Sequence, residues 1–198
     1  LERLGCEVTD LGNVPDDPEQ TVAALSEAAN NHDLILTSGG VSVGEADFVK
    51  PAVQALGELQ LWSLSIKPGK PFAFGKIASD GESCHFFGLP GNPVSAFVTF
   101  ALVVRPTILA LQGASVDPPH AFPVRSGFSR EGGGSRQEYL RARLEHSVEG
   151  LVATPLKNQS SGVALSLSRS DGLLIVPPNV AVGQGEVLQF IPFSELGA

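Results

Sequence analysis

Two carboxylates, Glu45 and Asp47, follow directly on a run of small residues, Ser38-Gly39-Gly40-Val41-Ser42-Val43-Gly44. Glycines let backbone N–H groups approach a phosphate closely, and the positive end of a following helix favours the same negative charge. Carboxylates beside phosphates make chemical sense chiefly with a hard cation between them. The stretch therefore suggests phosphate binding with an Mg2+-type ion. Its spacing fits neither G-x-G-x-x-G nor a P-loop, since no Gly-Lys-Ser/Thr follows. Taken alone, the loop reads more simply as a tight connection, with Asp47 as a helix cap.

Three other stretches favour the chemical reading. Lys67-Pro68-Gly69-Lys70-Pro71 places two lysines around a Pro-Gly turn, with prolines restricting the backbone that carries them. Pro90-Gly91-Asn92-Pro93-Val94-Ser95 repeats the logic of the first loop. Asn92 can cap a helix whose first position is Pro93, with Ser95 bonding in the first turn, so that free amides point out of the helix start. Asp16 sits in a loop just ahead of a third helix start, where Asp17 caps Pro18. Oxyanions need amide-lined helix starts and lysines, and these segments supply both.

The elements that would position these groups alternate. Cys6–Thr9 is expected to be a strand, 18–31 a helix with Val22, Leu25, Ala28 and Ala29 on one face, and 33–37 a short buried strand. A helix over 48–56 carries Pro51 in its first turn. Next come strands at 58–66, with a bulge near Trp62-Ser63, at 72–77 and at 84–89. A helix from Pro93 to about Gln112 follows, kinked at Pro106 and ended by Gly113. Such alternation predicts an α/β domain with a mostly parallel, three-layer sheet over residues 1–113. The acids and glycine loops would lie at the carboxyl edge of that sheet. Residues 114–119, with Asp117-Pro118-Pro119, read as a linker. From 120 to 198, alternating runs at 122–124, 138–144, 151–154, 172–176 and 186–191 predict a small all-β, barrel-like domain. In it, Arg136, Arg141 and Arg143 are expected to be solvated.

Composition narrows the functions. The chain has 198 residues, 42% hydrophobic and 17% charged, which suits one or two globular domains and a soluble protein. The run from Phe97 to Leu111 is short for a membrane span and is broken by Arg105 and Pro106. A formal charge of −8 argues against a nucleic-acid surface. Acids outnumber Lys and Arg before residue 113, yet Lys50, Lys67, Lys70 and Lys76 cluster within it, as a local anion site requires. Cys6 and Cys84, in unrelated contexts, suggest reduced thiols in a cytoplasmic protein. The four histidines show no metal-ligand spacing. Leu1 to Gly5 reads as the end of a helix, so the chain is expected to start inside a domain.

Ser38-Gly-Gly-Val-Ser-Val-Gly-Glu-Ala-Asp47, Lys67-Pro-Gly-Lys-Pro71 and Leu89-Pro-Gly-Asn-Pro-Val-Ser95 together resemble the molybdopterin molybdenumtransferases, the MoeA family that includes the E domains of gephyrin and its plant counterpart. Arg136-Gln-Glu-Tyr-Leu-Arg-Ala-Arg143 and Asn158-Gln-Ser-Ser-Gly162 resemble that family's C-terminal barrel, so the resemblance covers nearly the whole chain. It implies the last step of molybdenum cofactor synthesis, in which adenylylated molybdopterin is hydrolysed with Mg2+, AMP is released and molybdate enters the dithiolene.

Residue by residue, the resemblance implies that Asp47 is the acid tied to catalysis and Asp16 a second functional acid. Lys67 and Lys70 match the substrate and oxyanion pocket. Glu45, Asp47 and Asp16 would hold the metal, while Ser38, Gly39, Gly40, Ser42, Gly44, Pro90, Gly91, Asn92, Pro93 and Ser95 would bind the cofactor precursor. Ser63 departs from the pattern, since many relatives have a basic residue just after the aromatic position held here by Trp62. The resemblance also implies a homodimer, a possible handover from molybdopterin adenylyltransferase, and no nucleic-acid or membrane partner. It further implies that the chain is a fragment lacking N-terminal segments and the first strand of its first domain. The alternatives are a scaffold or binding module of the gephyrin E-domain type, or molybdopterin adenylylation itself. ATP turnover with free molybdopterin would separate the last of these.

Overall fold

The computed structural model describes residues 1–41, 48–81, 83–148 and 150–197. Its contacts separate into two compact units. The first comprises Leu1–Leu64, Pro71–Gly91 and Thr107–Ser115, the second Ser65–Lys70, Asn92–Pro106 and Val116–Ala198.

In the first unit, helix α1 (Pro18–Asn31) starts as its sequence dictates: Asp17 Oδ1 accepts the Gln20 amide at 2.8 Å, and Pro18 takes a position with no amide to satisfy. Strand β1 (Leu34–Ser38), helix α2 (Val49–Leu56) and strands β2 (Gly57–Ser63), β4 (Pro71–Ile77) and β5 (Cys84–Leu89) complete the layer. The sheet order is β1-β5-β4-β2. Period-two alternation sends Ile35, Ala73, Ile77, Cys84 and Phe86 to the face packed by Leu25, Ala28 and Ala29 of α1 and Ala52 and Val53 of α2. Burial pushes the Cys84 thiol up to about 11, with the Asp33 charge adding to the effect, so it is an inert core residue.

Three expectations need correcting here. The described sheet is mixed: β1 and β5 are parallel, but β5–β4 and β4–β2 are antiparallel. Only residues 78 to 83 join β4 to β5, far short of the crossover a parallel pairing requires. Residues 6–9 are not a strand; Glu7 to Thr9 are exposed and pair with no neighbour strand. Finally, β2 ends at Ser63 after two register shifts, and the chain then leaves the sheet.

The next strand, β3 (Ile66–Lys67), belongs to the second unit. It pairs in parallel with β7 (Gln137–Ser147), with Lys67 opposite Glu138. There β6 (Phe122–Ser126), β7, β8 (Gly150–Pro155), β9 (Gly172–Val176) and β10 (Val187–Pro192) run in the order β7-β8-β6-β10-β9, and a β9–β7 pairing closes the five strands into a barrel. Leu140, Ala142, Leu174, Val176, Leu188 and Phe190 fill its interior.

The intervening residues Tyr139, Leu173 and Ile191 point outward and receive Val94, Val98 and Ala101 of a helical stretch that runs from α3 (Pro93–Thr99) through 100–104 to α4 (Arg105–Leu111). The kink expected at Pro106 takes the form of a π-turn over 100–104, where the Arg105 amide reaches back to the Phe100 carbonyl. Proline has no amide to continue the ladder, and the wider turn absorbs the break. Counted from Pro93, the stretch is 19 residues long and apolar enough by length and composition to cross a membrane, contrary to the sequence reading. The barrel's outer face already occupies its Val94–Val98–Ala101 stripe. A one-turn helix, α5 (Leu165–Ser168), was not anticipated.

Gly172 tests how tightly the barrel closes. A Cβ there would run into the Ile191 carbonyl and approach the Phe190 ring to 2.6 Å. Gly172→Ala should lower stability by about 1–3 kcal/mol, read as a lower urea midpoint. An unchanged midpoint would contradict this β9–β10 packing.

Candidate functional site

In the first unit, the parallel pairing of β1 with β5 sets Ser38 opposite Leu89, so both strands end at one edge. The Gly39 amide donates to the Leu89 carbonyl at 2.9 Å, and Gly39 and Gly40 turn the chain with φ of +90° and +68°. Gly91 lies against the same turn: a Cβ on it would sit 3.7 Å from the Gly39 Cα. One step inward, Gly88 leaves room for Val41, whose Cγ1 a Cβ at 88 would strike. Ser38, Gly39, Gly40, Pro90 and Gly91 are thus brought together as one glycine-lined edge. The Gly39 amide is committed to the strand edge and is not available to an anion. Ser42, Gly44, Glu45 and Asp47 lie outside the described residues.

Asp16 is exposed ahead of the α1 cap. No group of three His, Cys, Asp or Glu side chains that could hold a metal forms among the described residues. Beside the unusual Ser63, the Lys50 ammonium stands 4.8 Å over the Trp62 ring, which brings a cation close to that position from another element.

In the second unit the first motif lysine, Lys67, is anchored by an acid the sequence analysis did not single out. Glu138, 4% exposed, accepts Arg130 Nη1 on Oε1 at 2.9 Å and pairs Lys67 Nζ with Oε2 at 3.3 Å. Burial alone would raise its pKa, but the Arg130 charge and the Lys67 hydrogen bond and charge outweigh it, so the carboxyl is held below the usual glutamate range. The signal for Glu138 was an acid sharing the inward face of β7 with Leu140 and Ala142. Gly69, with φ +115°, packs its bare Cα on the helix: a Cβ would come 2.7 Å from Thr99 Cγ2. Lys70 is exposed on the same turn.

The second expected helix start differs from its reading. Asn92 makes no side-chain cap, and the Val94 amide donates to the Ser161 carbonyl at 3.0 Å instead of standing free. Pro93 does occupy the first turn, and Ser95 is buried. The 158–162 loop supplying Ser161 is held by Arg141, which is 1% exposed and not solvated. Arg141 donates from Nε to Ser166 Oγ and from Nη2 to the Ser160 carbonyl, each at 3.1 Å, while Gln159 bonds both its amide and its carbonyl. Arg143, on the same strand face, is exposed and donates to the Arg169 carbonyl; Arg136 donates to the Ile66 carbonyl. Alternation alone could not tell which arginine faces a loop more than fifteen residues away.

Residues 1–110 match the family model described as probable molybdopterin binding domain, and residues 123–193 match the MoeA C-terminal region (domain IV). Among curated relatives, the molybdopterin molybdenumtransferase of Haemophilus influenzae is 38% identical over 99% of this chain and 48% of its own length. That of Synechococcus elongatus is 37% identical over 89% and 42%. Gephyrin from Dictyostelium discoideum is 31% identical over 84% of this chain and 26% of its own. A solved molybdopterin biosynthesis MoeA protein from Pyrococcus horikosii superposes with TM-score 0.68 at 29% identity, covering 90% of this chain and 41% of that one. The chain spans about half or less of the length of the curated relatives it matches.

The Glu138 ion cluster makes stability pH-dependent in a stated direction. Because the folded carboxyl titrates below its ordinary 4.5, its contribution is fully present above that pH and is lost as pH falls from there through the folded value. Glu138→Gln should therefore flatten the acid limb of urea midpoint against pH. A parallel limb in wild type and variant would show that Glu138 is not the group responsible.

Proposed function

Because the chain belongs to the MoeA family of molybdopterin molybdenumtransferases, we propose that it carries the oxyanion-binding half of such an enzyme, acting in the step where adenylylated molybdopterin loses AMP and molybdate enters the dithiolene. The observation that carries the reading is the glycine edge, where Gly40 and Gly91 present bare backbone beside the Gly39 turn at the carboxyl ends of adjacent parallel strands. Ligands of α/β sheets bind at such edges, and phosphates need close backbone approach.

In this mechanism the exposed backbone at Gly40 and Gly91, with Ser38, Ser42 and Gly44, orients the phosphoryl groups. Asn92, Pro93 and Ser95 shape the second loop. Lys67 and Lys70 neutralise the phosphate and molybdate oxygens. Water supplies the oxygen gained by the phosphorus whose bond breaks, and AMP leaves with its phosphate. Asp47 is the acid assigned to turnover, with Asp16 in support. Mg2+ would be held by Asp47, Glu45 and Asp16 and would shield charge between phosphate and carboxylate. Of these ligands only Asp16 is among the described residues, and one carboxylate is too few for a hard cation. The proposed steps accordingly rest on the protein's own groups. A homodimer, a cytoplasmic location and handover from molybdopterin adenylyltransferase complete the proposal.

Lys67→Ala in the full-length protein should weaken binding of adenylylated molybdopterin and reduce its salt dependence. Unchanged affinity across a salt titration would remove Lys67 from the site.

Asp47→Asn keeps size and capping ability while deleting charge. Affinity should survive, or tighten as a repulsion disappears, while AMP release in the presence of molybdate should fall by roughly a hundredfold or more. Normal turnover in that variant would reduce Asp47 to a helix cap.

A further inference from the structure

We propose that Glu138 is a positioning residue for Lys67, fixing one ammonium group where an oxyanion can meet it. The inference rests on the reading of Lys67 as a substrate ligand and adds the residue through which that lysine is placed.

The cluster holds one anion and two cations. Arg130 is set by a two-way backbone bridge with Val182, its amide donating to the Val182 carbonyl at 2.9 Å and its carbonyl accepting the Val182 amide at 3.1 Å. Its Nε and Nη2 are buried without a hydrogen-bond partner among the described residues, and Nη1 on Glu138 is the contact there that neutralises a costly charge. Glu138 consequently cannot swing away from Arg130 without stranding both groups. Its second oxygen is directed at Lys67 by the β3–β7 register, in which the two residues are paired.

Arg130 and Glu138 alone would form a neutral pair. Adding Lys67 leaves the trio one positive charge in excess, and that charge sits on the member whose side chain is 59% exposed while Glu138 is 5% exposed. A purely structural ion pair has no use for a third, exposed cation. A site for a solvent-borne oxyanion does: the lysine arrives already oriented, so less side-chain entropy is lost on binding. The backbone on either side is held as well, by Arg136 Nη1 on the Ile66 carbonyl at 3.1 Å and by Gly69 packed on Thr99.

The test is a double-mutant cycle in the full-length protein with Lys67→Ala, Glu138→Gln and both together. Affinity for adenylylated molybdopterin is measured, and the Lys67 ammonium is followed by NMR. Glu138→Gln should weaken affinity by about two- to fivefold, the scale of a partly exposed ion pair. It should mobilise the Lys67 ammonium signal and add nothing in the Lys67→Ala background. If Glu138→Gln fails to fold, Glu138→Asp keeps the Arg130 partner but shortens the reach to Lys67, and the same pattern is expected. An unaltered ammonium signal, or an equal loss of affinity with and without Lys67, would overturn the positioning role and leave the proposed function standing. Normal affinity in Lys67→Ala alone would overturn the substrate role of Lys67 and the positioning proposal with it.

Discussion

The parallel hydrogen bonding of β1 to β5 is the constraint on which the first unit depends. Two strands distant in sequence end at one edge only because their register places Ser38 beside Leu89, and the Gly39 amide then closes onto the Leu89 carbonyl. A shift by one residue would exchange the faces of the strand, turning Ile35 out of the core. Glycine at 88 is part of the same constraint, since Val41 occupies the space its side chain would need. The loop's chemistry and its packing are therefore inseparable.

The barrel solves a different problem, that of holding charge where water is scarce. Glu138 and Arg141 sit three residues apart on β7, both nearly fully buried, and are satisfied in different ways. Glu138 is on the face with Leu140 and Ala142 and is matched by cations, one from a bridge outside the named strands and one from β3. Arg141, on the opposite face, is matched by neutral oxygens of Ser160 and Ser166. Its positive charge is held beside the loop that receives the Val94 amide of α3, and burial pushes its pKa down. Removing one partner from such an arrangement leaves a desolvated group behind, which costs far more than the net worth of the pair.

The helical stretch from Pro93 links these themes within the second unit. Its apolar stripe covers Tyr139, Leu173 and Ile191, its first turn is capped by the 158–162 loop, and Thr99 supports the lysine turn through Gly69. A single apolar helix thus fixes both a cationic turn and a polar loop, which explains why its hydropathy alone would suit a membrane.

Local signals alone determined a good deal. The Asp17–Pro18 start of α1, the positions of β1, β4, β5 and all five barrel strands, the break at Pro106 and the turn at Gly39-Gly40 were legible because each depends on neighbours within a turn or on period-two alternation. The family motifs were equally legible, being short and contiguous. Tertiary structure decided whatever depends on a partner far along the chain. An isolated Glu7-Val8-Thr9 looks like a strand but finds no edge to pair with, and the return of β4 onto β5 through a short turn makes the sheet mixed. Ile66 reads as the end of β2 and Lys67 as the start of a turn, yet both pair with β7, because the backbone of residues 66–67 finds its hydrogen bonds there. Arg141 and Arg143 are identical in type and two residues apart, and only the position of Ser160 and Ser166 makes one a buried anchor and the other a surface residue. Sequence pattern records what a residue prefers locally, whereas a buried charge is defined by the group that neutralises it, and that group is chosen by the fold.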